Sequence, residues 1–113
     1  MVKKTPPIRG IAKHLAEELK KLRIPVSCIV LFGSYATKKN RVDSDIDLAI
    51  ISPRFQRLGI LARQELIAGA LLHLEVPYPI EVLGYPTSHY RNPTEGTLLA
   101  EIKNKGITVY PSS

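Results

Sequence analysis

Two apolar runs, CIVLF at 28–32 and IDLAII at 46–51, are separated by one short and mostly polar segment. Both runs are rich in β-branched residues and bounded by turn-forming ones, so each reads as a buried strand. A parallel crossover needs about a dozen residues or more, usually a packed helix. The segment 33–45 barely reaches that length and is mostly polar, too little for a packed crossover helix. The two strands therefore cannot form a βαβ unit with each other, which narrows the fold more than any other feature of the chain.

The remaining pattern fits around that pair. Pro6 and Pro7 suit the start of a helix, where missing backbone donors do no harm. From Ile8 the apolar positions Ile11, Leu15, Leu19 and Leu22 recur at helical spacing until Pro25. Phe55 to Leu74 holds no proline, and Leu58, Leu61, Ala62, Leu66, Gly69 and Leu72 predict one helical face. Pro77 and Pro79 precede a third strand at Ile80–Gly84. The polar loop PTSHYRNP then leads to a short helix over 94–105, stopped by Gly106, and ITVY forms a last strand. The order helix, strand, strand, helix, strand, helix, strand predicts an α+β fold, an α/β sandwich. Its mixed sheet carries helices on one face and leaves the other for a ligand. All 113 residues fit a single domain.

Composition excludes several classes. With 44% hydrophobic and 23% charged residues the chain is an ordinary globular protein. No apolar run approaches the roughly 20 residues of a spanning helix. The basic start MVKKTPPIRG lacks the apolar stretch of a secretory signal. Cys28, the single cysteine, reads as a core residue in a reducing compartment, and a cytoplasmic protein is expected. The net charge of +6 suggests an anionic partner. The basic clusters Lys3–Lys4 and Lys20–Arg23 read as solvated faces. His14, His73 and His89 lie far apart without the spacing of paired metal ligands, and SHYRN at 88–92 reads as a surface loop.

Against that basic background, Asp43, Asp45 and Asp47 crowd the start of the second strand. Alternate strand residues share a face. Asp45 and Asp47 therefore project together, while Ile46, Leu48 and Ile50 face the core. Adjacent carboxylates repel unless they are well solvated or a cation lies between them. Hard oxygen ligands of this kind suit Mg²⁺, which fills its other positions with water and phosphate. Asp43-Ser-Asp-Ile-Asp also opens like a calcium-binding EF-hand loop. That motif needs glycine at its sixth position and glutamate at its twelfth, where this chain has Leu48 and Arg54. At the end of the first strand, Gly33 permits close backbone approach to a ligand, and the Ser34 hydroxyl adds a donor for phosphate oxygens.

The stretch FGSYATKKNRVDSDIDLAI, with its G-S-x10-D-x-D spacing, resembles the polymerase β-type nucleotidyltransferase superfamily. It is especially similar to the minimal nucleotidyltransferases (MNT domains), which often serve as antitoxins to HEPN-domain ribonuclease toxins. The order of strands and helices extends the resemblance over nearly the whole chain. It implies a polymerase β-like nucleotidyltransferase fold, ATP as donor and two Mg²⁺ ions. Asp45, Asp47 and Glu81 would be metal-binding and catalytic. Glu81 interrupts the apolar run of the third strand, at a place where many relatives carry aspartate. Gly33 and Ser34 would hold the triphosphate.

Relatives often read G-S-x-A-R-G, whereas this chain has Thr37 for the arginine and Lys38 for the glycine. Lys38, with Lys39 or Arg41 as alternatives, is the candidate for the missing positive charge. The acceptor implied is a tyrosine hydroxyl of a HEPN toxin, modified with AMP, in a homo- or hetero-oligomer. Whether the basic surface faces an acidic partner or RNA stays open. A binding module that neutralises its partner by contact alone is the alternative. A small-molecule (antibiotic) nucleotidyltransferase acting as a dimer is a weaker one.

Overall fold

The computed structural model describes residues 6–111; the Lys3–Lys4 pair lies outside them. Helix α1 (Ile8–Lys21) buries Ile11, Ala12, Leu15, Ala16 and Leu19 along one stripe. It stops before Pro25 acts. Arg23 adopts a left-handed backbone with φ 64°, and the N–H groups of Arg23 and Ile24 return to the carbonyls of Lys20 and Leu19. This is a Schellman termination with arginine where glycine is usual. The reversal puts Ile24 in the core, 1% exposed, and leaves Leu22, expected on the buried face, 44% exposed.

Strands β1 (Cys28–Phe32), β2 (Ile46–Ser52), β3 (Ile80–Pro86) and β4 (Ile107–Tyr110) form one mixed sheet in the order β3-β2-β1-β4. β1 and β2 pair antiparallel with Leu31 opposite Leu48 and Phe32 opposite Asp47. β2 and β3 pair parallel with Asp47 opposite Glu81, and β4 pairs antiparallel with β1.

Between β2 and β3 the single expected helix is divided. Pro53–Arg57 form a 3-10 turn capped by the Ser52 hydroxyl, which accepts from Arg54 N at 3.1 Å. Leu58 is extended, and Gly59 caps helix α3 (Ile60–Leu71). The buried face of α3 is Ile67 and Ala70; Leu61 and Leu72 are exposed. The sequence ILARQELIAGAL is apolar nearly all round, so apolar spacing does not select one face. The sheet edge does. Arg63 donates to Gly84 O at 3.3 Å and Gln64 donates to Val82 O at 3.1 Å. These bonds occupy carbonyls that the edge strand β3 would otherwise present to solvent, and they fix the rotation of α3.

The larger core lies between one sheet face and helices α1 and α3. There Ile29, Leu31, Ile46, Leu48, Ile50 and Val82 pack with the fully buried Phe55. The opposite face has a smaller cover. The expected loop contains a short helix, α4 (Thr87–Arg91), and α5 (Leu98–Lys105) follows, capped by Thr97. Ile102 of α5 packs on Val30, Ala49 and Ile51, with Cys28, Phe32, Tyr85 and Tyr90 at the margin. Cys28 is half-buried there, and burial pushes its thiol pKa up. What this cover leaves open, beside the start of β2 and β3, holds Asp47 and Glu81.

Candidate active site

The C-terminal end of β1 turns sharply. Phe32 is extended, Gly33 has φ 71°, and Gly33–Ala36 then form one helical turn (α2) with no side chain capping its first N–H groups. Gly33 is required twice over. Its left-handed φ strains any residue with a Cβ. A Cβ there would also run into the Asp47 carboxylate, whose Cγ would lie 3.2 Å away. The absence of that one carbon lets the turn and the strand carboxylate touch.

Turn α2 closes on Thr37, whose hydroxyl donates to the carbonyls of Gly33 (3.4 Å) and Ser34 (3.3 Å). Lys38 follows with φ 60°, and Lys39 N–H returns to Ser34 O at 2.9 Å. Lys38 thus occupies the left-handed position of a second Schellman termination, the place of the last glycine in G-S-x-A-R-G. A lysine there costs about 1–2 kcal/mol of backbone strain, partly offset by the greater unfolded-state freedom of glycine. Lys38→Gly is expected to raise stability by about 0.5–1 kcal/mol, read as a higher midpoint in urea unfolding with unchanged slope.

Asp45 directly precedes β2, Asp47 is its second residue, and Glu81 is the second residue of β3. The parallel register makes Asp47 and Glu81 neighbours on the face that Gly33 abuts. Asp45 and Glu81 are exposed, whereas Asp47 is half-buried. Burial holds the Asp47 carboxyl above the ordinary aspartate range, and the negative charges of Glu81 and Asp45 push it further up. Among the described residues no three Asp, Glu, His or Cys side chains converge closely enough to share one metal ion as they stand. Paired strands run about 4.8 Å apart, so side-chain rotation alone can bring Asp47 and Glu81 together. Their oxygen donors and mutual repulsion fit a hard divalent cation.

Beside the turn is a cleft of about 290 Å³. Phe32, Gly33 and Thr37 form one wall, while Leu98, Glu101 and Lys105 of α5 form part of the other. Lys38, Lys39 and Arg41 are exposed and do not line it. The α5 side chains have no counterpart in the sequence reading. Their only local signal is the charge spacing of Glu101 and Lys105, ordinary for an exposed helix face. His14 and His73, distant in sequence, border a second cavity of about 390 Å³ against α1.

The nucleotidyltransferase domain family matches residues 12–103. No curated protein sequence matches the chain. Among solved structures, a protein from Sulfolobus solfataricus provisionally assigned as a nucleotidyltransferase is similar with a TM-score of 0.63 and 15% identity, over 96% of this chain and 89% of that one. A structure described as a toxin-antitoxin with AMP-PNP is similar with a TM-score of 0.54 and 24% identity, over 88% of this chain and 73% of that one. At such identities the likeness is one of fold. The glycine–serine turn, the three carboxylates and most of α5 lie within the matched segment, and the chain belongs to the nucleotidyltransferase domain family.

Proposed function

We propose that this chain transfers AMP from ATP, with Mg²⁺, to a hydroxyl of a partner protein: an MNT antitoxin that modifies a tyrosine of a HEPN ribonuclease toxin. The observation that carries the chemistry is the contact of Gly33 with Asp47 while Asp47 stands in register with Glu81. The Gly33 turn and the Asp47–Glu81 pair are thereby neighbours. The fold likeness to a toxin-antitoxin with AMP-PNP, a non-hydrolysable ATP analogue, supports the choice of donor and partner.

In this reading the Gly33–Ser34 turn binds the β- and γ-phosphates through backbone N–H groups and the serine hydroxyl. Asp45, Asp47 and Glu81 would hold two Mg²⁺ ions, which when bound supply Lewis-acid stabilisation of the attacking and leaving oxygens. The acceptor oxygen attacks the α-phosphorus in line. Its bond to phosphorus forms as the bond to the bridging oxygen breaks, and pyrophosphate leaves. Glu81, exposed at the rim, accepts the acceptor's proton. Among the described residues no helix is long and apolar enough to cross a membrane.

Incubation with α-labelled ATP, Mg²⁺ and the candidate toxin tests the proposal. Label is expected on a toxin tyrosine, with pyrophosphate released in equal amount. The separation of the three carboxylates as they stand favours one second reading, neutralisation by stoichiometric contact. A stable complex that acquires no label would establish that reading and remove the first.

A further inference from the structure

A nucleoside triphosphate carries about four negative charges at neutral pH, and here it would approach three carboxylates. Bound Mg²⁺ would offset part of that charge, and a cation of the chain facing the phosphate tail would offset more. The polar loop supplies Lys38, Lys39 and Arg41, yet none of them lines the cleft beside Gly33. The cationic side chain that does line it is Lys105, the last residue of α5, which shares the cleft with Gly33 though not with the three carboxylates.

Its position is built into the fold. The next residue, Gly106, has no room for a side chain, because a Cβ there would strike Val30 Cγ1 and the Ile102 carbonyl. That close approach seats the end of α5 on β1 at Val30, three positions before Gly33. Lys105 also pairs with Glu101, one turn back, at 3.8 Å, with both side chains mostly exposed. An exposed pair at this distance contributes little to stability. A bonding partner for Lys105 that can be exchanged for a stronger anion is therefore already in place. Lysine at a helix C-terminus is common for reasons of the helix dipole alone. That bland role does not require the helix end to be wedged against the strand that carries Gly33.

We propose that Lys105, switching from Glu101 to the terminal phosphates, is a donor-binding residue of this site, and that Glu101 tempers its affinity. This rests on the ATP reading above and adds a residue from a different part of the chain. The experiment is calorimetric titration of ATP with Mg²⁺ into the full chain and into Lys105→Gln, Lys105→Arg, Glu101→Gln and Lys13→Gln. The last removes an exposed charge on α1, away from the cleft. Lys105→Gln is expected to bind about five- to tenfold more weakly. The arginine variant should stay within threefold of wild type. Glu101→Gln should bind about two- to threefold more tightly, and Lys13→Gln should match wild type. Equal affinity of Lys105→Gln and wild type overturns the assignment while leaving the ATP reading intact. An equal loss in Lys13→Gln also overturns it, by showing net charge to be the cause. Absence of ATP binding by wild type removes both.

Discussion

Replacement of Asp45 and Asp47 together by asparagine is expected to lower nucleotidyl transfer by at least ~10³-fold and, in the same protein, to raise thermal stability. The two effects have one origin. Asp47 is half-buried beside two other carboxylates, and its pKa in the folded chain lies above the ordinary value through burial and the charges of Glu81 and Asp45. A carboxyl that ionises less readily when folded loses stability as pH rises from its unfolded value, about 3.9, through its folded value. The loss is complete above the folded value. Asparagine lacks it, so the variant's advantage is full at neutral pH and closes below about pH 3.9.

Solvent screening at a half-exposed site keeps the relief small, so the rise in Tm is modest beside the loss of activity. Millimolar Mg²⁺ should raise the Tm of wild type and leave the variant unchanged, because a cation held by the folded state alone stabilises it by mass action. Melting curves between pH 3.5 and 8, with and without Mg²⁺, read all of this. A variant less stable than wild type at neutral pH would show the carboxylates to be structural, and the functional reading of the cluster would fail.

That Asp47 faces away from the core was legible because a strand alternates with period two and Ile46, Leu48 and Ile50 mark its buried side. The mixed sheet was legible from the shortness of the connection between β1 and β2. Other features depend on contacts that no local pattern encodes. Helix α1 ends at Arg23 without the glycine that usually announces such a turn. Helix α3 is apolar on several sides, and hydrogen bonds from Arg63 and Gln64 to a strand distant in sequence select the buried one. Glu81 interrupts its apolar run visibly, yet its pairing with Asp47 is a matter of register between strands separated by a helix. Lys105 lies furthest from legibility. Its nearness to Gly33 depends on the packing of α5 across the second sheet face, where the reading of the sequence left open ground.

Gly33→Ala should be the most damaging single-carbon change in the site. The alanine must hold φ near 71°, at about 1–2 kcal/mol, and its methyl must displace the Asp47 carboxylate, a smaller crowding term because that half-exposed side chain can rotate away. Together these predict a fall in Tm of roughly 5–15 °C and loss of ATP binding, because the turn and the carboxylate can no longer share their present places. The double variant Gly33→Ala, Asp47→Ala separates the two terms. Removing the carboxylate leaves the methyl nothing to strike, so the crowding term should vanish and the backbone strain remain. A coupling of about 0.5 kcal/mol is expected between the two positions, with stability partly restored and transfer still absent. Strict additivity in urea unfolding would mean that Gly33 serves the backbone alone. The contact between turn and strand would then not be what holds the site together.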